Sequence, residues 1–207
     1  MTLTMLSVFI PTFILVSLTP GMCMTLSLSL GMTIGLRRTF WMMYGELLGV
    51  GLVAAAAVVG VAAVTLRYPA LFLLFKIAGG TYLGYLGVQL WRSRGALAMR
   101  SDMTTGQRNM SARTLAAQGF VTAVANPKGW AFFIALLPPF IDYSRPLPSQ
   151  LGILLSIVLA IEFASLIIYA GSGRALHHLL LKKGNLLLLN RIAGSAMIGV
   201  GIWLGLA

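Results

Sequence analysis

Ala125-Asn126-Pro127-Lys128-Gly129 sets a proline, an amide and a cation in succession inside a long apolar run, Leu115 to Leu137. Proline removes a backbone donor and its ring clashes with the carbonyl one turn earlier, so a helix through this stretch must break or kink. A second break of the same kind, Leu18-Thr19-Pro20-Gly21, interrupts the first apolar run. In lipid, a broken helix is tolerated only where it is buried in protein or lines a cavity. Two interrupted spans in corresponding places point to the substrate site of a transporter.

The surroundings of these breaks are those of a membrane protein. The chain has 207 residues, 58% hydrophobic and 9% charged, with a mean hydropathy of +0.92. Several runs exceed the roughly 18 apolar residues of a membrane span. Net charge is +11, from 15 basic and 4 acidic residues. That excess reads as topology, because cytoplasmic loops of membrane proteins collect Lys and Arg; no segment outside the spans forms a basic face for nucleic acid. The single cysteine, Cys23, forms neither an internal disulfide nor a two-thiol relay. The apolar N-terminal start lacks a basic leader and a small-residue cleavage pattern, so it is expected to stay as a first helix.

The fold expected is all-α, with six transmembrane helices. Helix 1 covers about Met5–Leu30, broken at Pro20, and helix 2 about Phe40–Leu66. Helix 3 covers about Ala70–Trp91 and helix 4 about Leu115–Ile141, broken at Pro127. Helices 5 and 6 cover about Leu151–Ala170 and Leu186–Leu206. The polar stretch Arg92–Arg113 is the expected linker within one transmembrane domain spanning residues 1–207, between a first repeat of about 1–91 and a second of about 114–207. Ten of the 15 cations fall in the loops after helices 1, 3 and 5, including Arg37, Arg38, Arg92, Arg113, Arg174 and Lys183. That side is expected to be cytoplasmic, with both termini periplasmic.

Lys76-Ile77-Ala78-Gly79 returns as Arg191-Ile192-Ala193-Gly194, an offset of 115, and Glu46 returns as Glu162, an offset of 116. Pro20 and Pro127 are 107 apart; a longer loop after helix 4, where prolines accumulate, accounts for the difference. With three spans per half, the second half must insert upside down, giving an inverted-topology repeat.

Glu46 and Glu162 are the expected proton-coupling residues. A carboxylate inside a span costs about 2.5–3.5 kcal/mol, so it normally faces a cavity or a partner. The bland reading is an interhelical hydrogen bond. Asn126, Pro127 and Lys128, with Thr19, Pro20 and Gly21, are the expected substrate-binding set. The breaks free carbonyls and amides that, with an amide and an ammonium, suit an amino-acid zwitterion. The bland reading makes Asn126 a helix cap with Pro127 at its favoured first position, and lets Lys128 snorkel. Lys76 and Arg191 are interface anchors or charge partners of the glutamates. Gly45 and Gly49 on helix 2 form a small-residue packing signal that also fits a homodimer face. His177 and His178 stand without a Cys or acidic companion, so no metal is expected, and no cofactor.

Thr19-Pro20-Gly21, Lys76-Ile77-Ala78-Gly79 with Tyr82-Leu83 and Leu86-Gly87, and Asn126-Pro127-Lys128 together resemble the LysE/RhtB superfamily of amino-acid exporters, over nearly the whole chain. The nearest branch by these motifs is that of the homoserine/threonine and leucine exporters. The resemblance implies a multi-pass protein of the bacterial inner membrane, not an enzyme, that exports amino acids by proton antiport with alternating access. The family usually follows Thr-Pro-Gly with Pro-Asn, whereas Met22-Cys23 follow here, so polar recognition is expected to be skewed towards helix 4. The runner-up is a membrane-embedded enzyme or redox carrier on a similar three-plus-three helix core, disfavoured by the single cysteine.

Overall fold

The computed structural model describes residues 3–67, 69–92, 110–137, 140–141, 145–181 and 183–206. Their regular structure is helical: α1 (Leu3–Ser17), α2 (Met22–Ile34), α3 (Leu36–Arg67), α4 (Pro69–Arg92), α5 (Ala112–Val124), α6 (Pro127–Leu136), α7 (Leu147–Leu181) and α8 (Lys183–Leu206). Both expected breaks are present. α1 and α2 meet at a 54° bend across Pro20, and α5 gives way to α6 at Asn126-Pro127. Pro11, by contrast, stays inside α1.

Several helix ends lie beyond the expected limits. α3 begins at Leu36, so Arg37 and Arg38 stand on a helix rather than in a loop. Gly35 makes this abrupt start feasible: its φ of +81° is the only positive value among the described residues, and a side chain there would be strained. α7 continues to Leu181, turning the expected loop around Arg174, His177 and His178 into helix. No proline interrupts that segment, and a helix need not end where its apolar stretch does. Its side chains beyond Ser172 lie outside the described residues, as does most of the linker.

Two helices among the described residues, over Leu36–Ala63 and Leu147–Ser172, are each long and apolar enough to cross a membrane. The bent pair Phe9–Ser17 and Met22–Ile34 makes a third span if counted as one. Outward positions carry apolar residues that a water-facing surface would not: Leu48, Leu52 and Val59 on α3, Ile153 and Ile168 on α7, Ile192 and Ile202 on α8.

Three helix pairs dominate the packing: α4 with α8, α3 with α5, and α2 with α7. Small residues bring the backbones together. A Cβ on Gly45 would run into the Ala116 carbonyl, one on Gly119 into the Met42 carbonyl, and one on Gly49 would stand 2.7 Å from Ala123 Cβ. Gly45 and Gly49 are thus spent on packing α3 against α5, and are not free for the homodimer face considered from the sequence. Gly87 and Gly194 do the same for α4 and α8, each Cβ falling 2.6 Å from the other's carbonyl oxygen. An aromatic cluster of Phe9, Phe13, Phe132, Phe133 and Phe140 joins α1, α6 and the segment after it, with ring centroids 5.1–6.1 Å apart.

Candidate functional site

Pro20 has no N–H for the Val16 carbonyl, four residues earlier, and the turn to Gly21 frees the carbonyls of Leu18 and Thr19 as well. Each gains a side-chain donor from a distant element. Lys128 Nζ donates to Val16 O at 3.0 Å and Thr19 O at 3.4 Å, and Tyr169 OH donates to Leu18 O at 2.7 Å. The Lys128 ammonium therefore sits on the negative end of α1, where a cation is favoured. Thr19 N adds a tight bond to Val16 O at 3.1 Å. On the other side of the break Gly21 caps α2 in an extended conformation, without a side-chain bond to its first amides.

The second break is closed differently. Asn126 Oδ1 accepts from Lys128 N at 3.1 Å, and Pro127 holds the first helical position of α6, as the capping reading requires. Lys128 N would otherwise have served the Val124 carbonyl; Trp130 Nε1 donates there instead, at 2.8 Å. Trp130→Phe should leave that carbonyl unpartnered and lower stability by about 1–3 kcal/mol, read as a drop in the unfolding midpoint of the detergent-solubilised protein.

Between the two breaks lies a cavity of about 60 Å³. Ser17, Gly21 and Cys23 line it from the first break, Asn126 and Lys128 from the second, Glu46 from α3 and Glu162 from α7. Ser17 Oγ donates to Glu162 Oε2 at 2.6 Å, with Ser165 Oγ 3.0 Å from Ser17 Oγ. Glu46 is fully buried, and among the described residues neither of its oxygens has a partner in hydrogen-bond geometry. Its carboxylate faces those of its surroundings that carry charge or polarity, Glu162 and the Cys23 thiol, at a range where they interact. Asn126 Nδ2 points at Cys23 Sγ, 3.7 Å away. Two acids, one ammonium, a thiol and an amide thus meet in a mainly apolar chamber.

The structure brings Thr19, Gly21, Asn126, Lys128, Glu46 and Glu162 to this chamber; Pro20 stands just outside, and Pro127 acts through the backbone. Arg191 is not brought to either glutamate: its guanidinium lies over the Trp91 ring, 5.2 Å from the centroid, while Trp91 Nε1 donates to Ser195 Oγ at 2.9 Å. Cation–π contact and the packing of α4 on α8 hold it there. Lys76 lies on α4, with its side chain outside the described residues. Among the described residues, Lys128 is the cation that interacts electrostatically with Glu162.

Ser17, Ser165, Tyr169 and Trp130 escaped the sequence reading. A signal existed for two of them. Ser165 and Tyr169 follow Glu162 by three and seven residues, which places all three on one helix face.

The sequence model of the family described as LysE type translocator matches residues 14–207. An uncharacterized membrane protein of Vibrio cholerae is 27% identical over 199 residues, 96% of this chain and 95% of the relative. The homoserine/homoserine lactone efflux protein of Salmonella typhimurium is also 27% identical over 199 residues, with the same shares. An uncharacterized membrane protein of Bacillus subtilis is 24% identical over 209 residues, 96% of this chain and 97% of the relative. No solved structure matches the chain.

Proposed function

We propose that this chain, which belongs to the LysE type translocator family, is a secondary exporter of small amino acids that exchanges its substrate for protons across the bacterial inner membrane. The observation that carries the reading is the chamber itself, where both helix breaks and both glutamates of the spans converge. The efflux name of the Salmonella relative agrees with the direction of transport.

The chemistry of the chamber suits the exchange. A substrate carboxylate can take the Lys128 ammonium together with the uncapped first amides of α2, an arrangement helix N-termini offer to anions. The substrate ammonium can take the Glu46–Glu162 pair. With Lys128 charged and both carboxylates ionised, the empty chamber would hold a net negative charge inside the bilayer, which is costly. A proton cancels that charge; the zwitterionic substrate leaves the sum unchanged, but its ammonium pairs with the same acids while its carboxylate pairs with Lys128. Competition between these two cations for one acidic pair is a chemical basis for antiport. The skew towards helix 4 takes a revised form: its polar groups brace the breaks, and the open backbone donors belong to the first break.

Six spans in two inverted halves are part of the same proposal. The packing supports it, because each broken helix lies against the glutamate-bearing helix of the other half: α5 on α3, and α2 on α7. Both termini would then be periplasmic. The membrane enzyme or redox carrier gains no support, since Cys23 has no second thiol to relay electrons to.

Inside-out vesicles containing the protein should accumulate at least one of labelled threonine, homoserine, leucine or cysteine when a pH gradient is imposed, and lose that accumulation when it is collapsed. Equal uptake with and without the protein for every one of them would reject the exporter.

A further inference from the structure

A second space, of about 240 Å³, opens beside the first break between α4 and α8. Leu86, Gln89 and Leu90 of α4 line it, with Met197 of α8 and Pro20. It shares two wall residues with the central chamber, Thr19 and Lys128. We propose that this space is an entry vestibule for the substrate, a small amino acid with an uncharged side chain, and that Thr19 and Lys128 form the gate between it and the chamber. The identity of the ligand rests on the exporter reading; the route does not.

Of the two wall residues, one can move cheaply. Thr19 is buried and its hydroxyl donates to the Leu15 carbonyl at 2.8 Å, so it belongs to the end of α1. Lys128 reaches across from α6 on a long flexible stem, passing Gly21 to end on the Val16 and Thr19 carbonyls. Those acceptors are neutral. A carboxylate arriving in the vestibule is the stronger acceptor, because its full negative charge adds a Coulombic attraction to the ammonium that a neutral carbonyl lacks. It would draw the ammonium off the carbonyls and the stem out of the partition.

The lining sets the ligand class. Leu86, Leu90 and Met197 offer an apolar wall for a side chain. Gln89 Nε2 donates to Tyr85 OH at 2.6 Å, which leaves its Oε1 as acceptor for the substrate ammonium. Among the described residues no acid lines the vestibule, so a second cation on the ligand has no match there. Volume points the same way. Open small-molecule sites run to roughly 300–1,000 Å³; the vestibule approaches that range, whereas the chamber at about 60 Å³ must widen before it admits a substrate.

Cys23, the only cysteine in the chain, stands behind this gate and reports on it. In proteoliposomes, its labelling by a small charged methanethiosulfonate would be followed by mass shift, with reagent on either face. Leu86→Trp and Gln89→Trp, which fill the vestibule from two directions, should each slow labelling by about tenfold. Lys128→Ala should speed it with a cationic and with an anionic reagent alike; opposite effects of the two would mean charge alone and no gate. The route is overturned if neither tryptophan slows labelling in monodisperse protein, or if Cys23 stays inert in both the native chain and Lys128→Ala. Normal amino-acid transport with labelling indifferent to both tryptophans would reject the vestibule and leave the exporter standing. Gated labelling without any transport would do the reverse.

Discussion

Glu162→Gln should reduce gradient-driven export by about 100-fold, the weight of a charge-assisted contact of about 3 kcal/mol. Glutamine keeps the shape and can still accept from Ser17 Oγ, which donates to the carboxylate at 2.6 Å, so the fold should survive. What it cannot do is bind and release a proton or neutralise a substrate ammonium. The comparison to make is between gradient-driven accumulation and exchange of labelled for unlabelled substrate at equal concentrations on both sides. Accumulation should fall while the protein stays monodisperse with an unchanged unfolding midpoint. Unaltered dependence of accumulation on the pH gradient would remove Glu162 from the coupling step.

Gly45→Val should have the largest effect on stability. The Cβ it introduces meets the backbone of Ala116, and that contact cannot be relieved by a rotamer change. Ordinary overpacking costs typically about 1–3 kcal/mol; here α5 as a whole must retreat from α3, along with Gly119 and its own close approach to Met42. Against a total stability of about 5–15 kcal/mol, most of the protein should be lost to aggregation on extraction from the membrane. Gly60→Ala is the matched control, because nothing lies within 4 Å of a Cβ there. Recovery of Gly45→Val at the level of Gly60→Ala would show that the two helices do not meet as closely as described.

Local chemistry made the breaks legible in the sequence. Pro20 and Pro127 each remove one donor inside an apolar run, a consequence that depends on no other part of the chain. Asn126 before Pro127 likewise announces a cap. What satisfies the freed carbonyls was not legible, because Lys128 is more than 100 residues from Val16 and Thr19. Only the fold brings the second break over the first. The same holds for Arg191: its repeat position and charge left an interface anchor or an acidic partner open, and the packing of α4 on α8 delivers Trp91. The glutamates were visible as charges in apolar spans. That they share one chamber required knowing which helices are neighbours.

The exchanged pairing of the helices has a mechanical consequence. α5 is locked to α3 by backbone contact at Gly45 and Gly119, and α2 to α7 by Gly31 against Ala170 and by Ser27 Oγ donating to the Leu166 carbonyl at 2.9 Å. The close-packed units are therefore composites, each taking one element from either side of the linker, and the two units meet at a seam where α3 faces α7. Glu46 stands on one bank of that seam and Glu162 on the other. In the exporter proposed above, a stroke along that seam would change the spacing of the two acids, and the exchanged proton would be held at the moving joint.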